Sequence, residues 1–413
     1  MFIISQSKKL KGTITVAGSK NWALPIIAAN YLTNNKVKLD NVPDILDVHN
    51  LILVWDEAIK NSKGKKYFDL TSEKCLKIRV SILMIPYWLL EYGKVKFIGT
   101  WGCNLGKRSL DAFDDALSQC GIKVTFSWNN KIYEVKSAPK KDIIQQEFSV
   151  TTSEAVLTYL AFLPGGKGKS YTIHNAAIEP HVIDLIKYLQ ERGADITLLH
   201  DHRIVVKPQK LTNKTGTYKI LWDMLEAGLY LAIGALSPGS DITVTGCNVE
   251  ELYSTFSFAD SVGIDYQVMN QNTFRVTAKN LGKYEATNIK TMIYPWFPTD
   301  LQSVMAVVLT QSKWFSKIFE RLFEGRFSYL AELENMGARC EILNPHQAVI
   351  IWPTPLKWNH VTSTDIRGGG ALLVAGIIAQ GKTTIHSESL ILRWYDNIVK
   401  KLQSIWVAIV IDK

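Results

Sequence analysis

One pattern recurs along this chain and limits what it can become: an amphipathic helix, a glycine just past its end, a small or branched residue, then a short strand. It appears as Leu117-Ser118-Gln119-Cys120-Gly121-Ile122, around Gly193 in "LQERGADITL", at Gly263 in "DSVGIDYQV" and at Gly337 in "ENMGARCEIL". The separations are 193−121 = 72, 263−193 = 70 and 337−263 = 74 residues. A glycine there supplies the left-handed conformation in which helices commonly end and which other residues adopt at a cost. Segments rich in β-branched residues, each followed by a turn, lie between: "KVKLDNVPD", "KVKFIGT", "SYTIHNAAIEP", "DITVTGCNVE" and "KTTIHSES". The period exceeds the roughly 20–50 residues of a solenoid repeat, and 413 residues exceed one ordinary core. The repeat therefore predicts six strand-rich α/β units arranged as two domains of three, with the unit near residue 50 irregular. Continuing the period from Gly337 places the last unit's glycine near 406, since 406−337 = 69, but Trp406 stands there. A tryptophan is a poor occupant of a left-handed cap.

Composition narrows the class. Hydrophobic residues make up 47% and charged residues 21%, as in a soluble globular protein. The most apolar window, Ala371 to Ala379, is too short to cross a bilayer. Met1 to Gly12 lacks the basic start and apolar run of an export signal, so a cytoplasmic location is expected. Five cysteines (Cys75, Cys103, Cys120, Cys247 and Cys340) are an odd number with no C-x-x-C pair. That argues against a disulfide framework or structural zinc and fits a reducing compartment. The net charge of +9 suits anionic small substrates, nucleic acid or merely a basic surface. The lysines are scattered, and no basic stripe interleaved with aromatics is evident, so a nucleic-acid partner is not expected.

Several segments carry reactive groups. Gly18-Ser19-Lys20-Asn21 follows a strand pattern and opens an apolar helix, an arrangement that presents N–H groups and a lysine to an anion; a capped helix with a surface lysine accounts for the same residues. Cys103 lies in the glycine-interrupted loop "GTWGCNLGKRSLD" with Lys107 and Arg108 close behind, and nearby cations bring a thiol toward neutrality as proton donor or nucleophile. Asp300 in "YPWFPTDLQSV" follows a proline-rich turn, where it is either a helix N-cap or a general base. Arg326 in "FEGRF", Asp365 and Arg367 in "STDIRGGG", and Arg393 in "ILRWYD" are charges among apolar neighbours, each of which an ordinary ion pair would also explain.

Taken together, the segments "GSKN-x-ALPI-x-AA", "GC-x-x-G-x-R-x-x-D", "NAA-x-EP", "YP-x-FPTD-x-Q", "FE-x-RF" and "TD-[LI]-R" resemble, in order and spacing, the UDP-N-acetylglucosamine 1-carboxyvinyltransferases of peptidoglycan synthesis. The similarity runs from about Met1 to the C-terminus. The related shikimate-pathway enolpyruvyl transferase has the same fold but lacks the cysteine loop and the "FPTD" turn. The resemblance implies an α/β (α+β) fold: a two-domain inverse α/β barrel of the enolpyruvyl transferase type, each domain of three repeated units. It places residues 20–216 in one domain and 1–19 with 217–413 in the other, with the active site in the cleft between them. It implies enolpyruvyl transfer from phosphoenolpyruvate to UDP-N-acetylglucosamine, with no cofactor, no metal and no membrane partner, and a monomer by default. Cys103 matches the loop proton donor, which also adds covalently to phosphoenolpyruvate, and Asp300 the residue beside the attacking hydroxyl. Lys20, Arg108, Arg326, Arg367 and Arg393 match cationic positions, Lys20 and Arg393 also counting as catalytic, and Asn21 a phosphoenolpyruvate-binding asparagine. Arginine suits such a donor because it stays charged and binds oxyanions bidentately. Arg79, the stretch Arg108-Ser109-Leu110-Asp111-Ala112, Ser149, Val150 and Leu322 match positions around the nucleotide sugar, as does Asp300. Transfer to another alcohol such as shikimate 3-phosphate, or a non-catalytic nucleotide-sugar-binding paralogue, are the alternatives. Retention of Cys103, Asp300 and the cations argues against the second.

Two departures stand out. The family's "SVGAT" reads Ser149-Val150-Thr151-Thr152-Ser153, with Thr151 for a glycine that admits the nucleotide and Glu147 where a lysine is frequent; "DRIE-x-GT" reads Asp223-Met224-Leu225-Glu226-Ala227-Gly228-Leu229, losing an arginine. More systematically, Trp101, Trp296, Trp314, Trp352, Trp358, Trp394 and Trp406, seven of the 12 tryptophans, stand where the family has or would tolerate glycine. Trp-for-Gly at tight turns is sterically costly each time. We hypothesise that the source organism reads UGA as glycine and that these positions are UGA codons; UGG codons there would refute it.

Overall fold

The computed structural model describes residues 1–32, 37–72, 75, 79–98, 110–127, 130–212, 215–351 and 353–412, without the side chains of Arg79, Val80 and Ser127. Five four-stranded sheets share one plan. In the sheet of Phe68–Leu70, Lys94–Ile98, Asn130–Val135 and Ile122–Ser127, taken in spatial order, the first strand runs parallel to the second and the remaining pairs are antiparallel. The sheets built on Ile143–Gln145, Ile289–Lys290 and His360–Thr362 repeat that order, as does the one whose edge is Lys11–Thr15. Among the described residues the remaining unit is reduced to a parallel pair, Val37–Asp40 with Gly216–Lys219. This is the irregular unit that the spacing places near residue 50.

A parallel step between neighbouring strands needs a crossover, and an apolar helix provides it in each complete unit. In the half of the molecule that holds both chain ends, these helices are Met224–Leu236, Gln302–Leu309 and Ile366–Ile378, and the three touch one another. They are apolar on nearly every face and almost wholly buried, as helices surrounded by protein must be. Two hydrophobic cores result. One is built within Trp22–Ile220 and the other from Phe2–Val16 together with Leu225–Ile409. The chain leaves the second lobe after the strand Lys11–Thr15 and returns to pair Asp241–Thr245 alongside that same strand. Phe2–Ser5 completes the last sheet by lying between Lys382–His386 and Ile409–Ile411.

All four repeat glycines take the left-handed conformation, with φ of +85° at Gly121, +97° at Gly193, +87° at Gly263 and +98° at Gly337. The backbone at Trp406 does so too, at +73°, so the last repeat along the chain keeps the geometry of a glycine without the residue. Trp314 is likewise left-handed at +63°, and both indoles stand 64% exposed. Such a conformation costs a side-chain-bearing residue about 1–2 kcal/mol. Trp296 and Trp358 are exposed without being left-handed, and Trp101 and Trp352 lie outside the described residues. Four cysteines are described; Cys75, Cys120 and Cys247 are buried, and desolvation pushes the thiols of Cys75 and Cys247 up to about 12 and about 11. Among the described residues no helix is long and apolar enough to cross a membrane.

Candidate active site

The turn before the first long helix is shaped by a close approach. A Cβ on Gly18 would lie 1.8 Å from the Asn41 carbonyl oxygen, so no other residue fits. Ser19 N–H then donates to the Leu221 carbonyl at 2.8 Å, and Lys20 opens the helix Lys20–Leu32. Lys20 is not a surface lysine, being only 8% exposed. Its Nζ donates to Asp47 Oδ2 at 2.8 Å, and Arg393 of the other lobe donates from Nε to Asp47 Oδ1 at 2.7 Å. Asp47 sits in the first turn of Leu46–Ser62, where the helix N-terminus favours an anion. Burial, reinforced by Arg367 and Arg393, pulls the Lys20 ammonium below its ordinary value while Asp47 opposes. For Asp47 burial acts upward, but Lys20 and Arg393 outweigh it and hold the carboxyl below its usual range.

Asp300 lies in the 3₁₀ turn Thr299–Leu301 that leads into Gln302–Leu309, and it is not an N-cap. Its carboxylate is instead clamped. Arg326 Nη1 donates to Oδ1 at 2.7 Å and Arg367 Nη2 to Oδ2 at 2.5 Å, while Arg326 Nη1 also reaches the Thr299 carbonyl at 3.0 Å. Burial would raise this carboxyl, but the two guanidiniums dominate and hold it well below the usual carboxylate range. Asp365 is the cap of the next helix, accepting from the N–H groups of Arg367 and Gly368 at 2.7 and 3.0 Å, and so sets where Arg367 begins its reach. Between the two ion-pair groups lies the Trp394 ring, 4.1 Å from Lys20 Nζ and 3.3 Å from Arg367 Cζ. His181, at the start of Pro180–Glu191, tilts against Trp22 at 5.2 Å; burial lowers its imidazole to about 4, with Asp300 opposing.

Five of the residues picked from the sequence, Lys20, Asp300, Arg326, Arg367 and Arg393, are thus brought into one assembly across the two lobes. Asn21, half-buried, follows Lys20 in the helix. Cys103, Arg108 and Ser109 lie outside the described residues, as does the side chain of Arg79. Leu110 packs on the first core just before the helix Asp111–Gln119, whose first turn carries Asp111 and Ala112. Ser149 caps the adjacent helix Val150–Ala161, taking the Thr152 N–H at 3.3 Å, and Val150 is its first residue. These two helices touch, and a helix N-terminus favours an anion. Leu322 is exposed and donates its N–H to Glu320. Where the family arginine is missing at Met224, the neighbouring Asp223 caps Met224–Leu236 and is pushed up to about 7 by burial and by Glu226. Asp47 and His181 escaped the sequence reading. Asp47 sits in "DILDVHN" with nothing but a helix start to mark it, and its role depends on a partner 346 positions away.

The EPSP synthase (3-phosphoshikimate 1-carboxyvinyltransferase) family profile matches residues 4–402. The chain is 33% identical to the UDP-N-acetylglucosamine 1-carboxyvinyltransferase of Pelagibacter ubique, with 97% of each chain covered. It is 32% identical to the protein of that name from Bradyrhizobium diazoefficiens, covering 99% of this chain and 97% of that one. Among solved structures, the enolpyruvyl transferase NikO from Streptomyces tendae superposes with a TM-score of 0.86 at 17% identity over 99% of this chain and 98% of its own. An EPSP synthase from Acinetobacter baumannii gives 0.71 at 13%, over 100% and 99%. The fold is that of the enolpyruvyl transferases, and with a third of its residues shared over full length this chain belongs to the UDP-N-acetylglucosamine 1-carboxyvinyltransferase family.

Proposed function

We propose that this chain transfers the enolpyruvyl group of phosphoenolpyruvate to the 3-hydroxyl of UDP-N-acetylglucosamine, releasing phosphate. This is the first committed step toward peptidoglycan precursors, carried out in the cytoplasm without cofactor or metal. The observation that carries the reading is the cation assembly: Lys20 of one lobe meets Arg393, Arg367 and Arg326 of the other around two carboxylates. A small donor bearing both a carboxylate and a phosphate needs that many persistent positive charges in a poorly hydrated site. The lobes act as the domains 20–216 and 1–19 with 217–413, closing on the donor as ligand sites between domains commonly do.

In the proposed reaction the sugar oxygen bonds to C2 of phosphoenolpyruvate, its proton passes to Asp300, and an acid, Cys103 with Lys20 in support, protonates C3 to a methyl group. The C2–O bond to phosphate then breaks, a proton leaves the methyl group, and the enol ether and inorganic phosphate result. Asp300 clamped by two arginines is a weak base. The donor anions compete for Arg326 and Arg367, and as those guanidiniums turn to the substrate the carboxylate regains basicity where it is needed. Asn21 joins the donor site. Arg79, Arg108 to Ala112, Ser149, Val150 and Leu322 hold the nucleotide sugar, with Thr151 and Met224 altering its fit.

The test is phosphate release from phosphoenolpyruvate with UDP-N-acetylglucosamine and, separately, with shikimate 3-phosphate, on protein carrying glycine at the seven tryptophan positions. Turnover with the UDP-sugar and not with shikimate 3-phosphate is expected. The reverse preference would move the chain to the shikimate reaction, and no turnover with either would reduce it to a binding protein.

A further inference from the structure

We infer that residue 394 decides whether the anionic donor can enter the cleft: the indole of Trp394 occupies the space between the lobes' cations, and a residue without a side chain opens it. The inference rests on the assignment of Lys20, Arg367 and Arg393 to phosphoenolpyruvate. Trp394 is only 3% exposed, although it directly follows Arg393 at the lobe junction. One face of the ring system is met by Lys20 Nζ from the first lobe, at 4.1 Å, and Arg367 Cζ of the second lies 3.3 Å from a ring centroid. Among the described residues each cation spends only part of its donors on Asp47 or Asp300, which leaves N–H groups for an anion. The ring thus lies where an anion shared by these two residues would have to lie. An indole side chain and phosphoenolpyruvate have equal numbers of non-hydrogen atoms, so the two are mutually exclusive tenants rather than neighbours.

The ring is an imperfect tenant. Cations over its face give it cation–π attraction, but its Nε1–H is buried with no hydrogen-bond partner among the described residues. Trp22, Trp55 and Trp88 bury their indole N–H groups in the same state, so this is a cost of burying the ring and not a mark of position 394. The backbone at 394 is not left-handed, so the side chain strains no turn here; it fills the space between the cations. At Trp406 and Trp314 the opposite holds: the space is open and the conformation is that of glycine. A ring filling the space between cations at 394 and a glycine conformation at 314 and 406 both fit a glycine in the working protein.

The measurement is a titration with phosphoenolpyruvate alone, followed by phosphorus NMR and by the shift in melting temperature. It compares the Trp394 chain, W394G, W394A and, as a control that removes an exposed tryptophan, W406G. W394G and W394A are expected to bind roughly ten-fold tighter or more than the Trp394 chain, with W406G following the latter. Saturable binding by the Trp394 chain within about three-fold of W394G overturns the inference. Failure of both W394G and W394A to fold also overturns it, because the indole would then be core and not an occupant. Binding by no form removes the inference together with the assignment of these cations. A W394G protein that binds phosphoenolpyruvate yet releases no phosphate with either acceptor leaves the inference standing and removes the proposed activity.

Discussion

Asp47→Ala is expected to lower stability by about 3–5 kcal/mol, one of the largest losses available to a single side chain here, because it strands the buried Lys20 ammonium and the partly buried Arg393 guanidinium. Lys20 and Arg393 both lean on this carboxylate, at 2.8 and 2.7 Å, and they come from different lobes. Removing it leaves like charges facing each other, with Arg367 adding to the repulsion on Lys20. The lobes should separate more easily as well as melt sooner. The pH dependence has a definite sign. The folded-state carboxyl is held below its unfolded value of about 3.9, so its stabilisation is complete above that value and is lost as pH falls through the lower, folded-state value. The gap between the parent and Asp47→Ala melting curves should therefore be full at pH 6–8 and narrow below about pH 4. Inorganic phosphate, a substitute anion for the stranded cations, should restore the variant more than the parent. Curves that coincide at pH 7 would show that the triad contributes nothing.

Much of the fold was legible because it repeats. Glycines 70 to 74 residues apart report a helix end, and helix ends report units, so the six-unit plan followed from local chemistry alone. Even the exception was informative: position 406 is left-handed as the spacing requires, with a tryptophan in it. The reduced unit was harder, because Val37–Asp40 takes its partner from Gly216–Lys219, nearly two hundred residues on, and no local pattern encodes such a pairing. In the site, motif residues that carry the charge were readable one by one, whereas their relations were not. Asp300 fits an N-cap by position, yet its two arginines, 26 and 67 residues away, claim it. Lys20 resembles a surface lysine until the burial of its helix is known. Asp47 was marked only by a helix start, which explains a first-turn aspartate without any partner, and only tertiary contact gives it two.

Asp300→Asn should separate catalysis from scaffolding. The amide keeps the shape of the carboxylate but cannot take the hydroxyl proton, so in the W394G background kcat should fall by about 10²–10⁴-fold, the usual worth of a positioned general base. The same change leaves Arg326 and Arg367, both buried, without their shared anion. Phosphoenolpyruvate would supply the missing negative charge, so its KM should stay level or drop, and the donor should raise the variant's melting temperature more than the parent's. A purely structural role would produce another signature: lower stability that the donor does not mend, and kcat reduced only in proportion to the folded fraction. Asp300→Asn retaining kcat within about ten-fold would exclude it as the base. His181 would then be the group to test in its place, being a largely neutral imidazole at pH 7 that already feels the Asp300 charge.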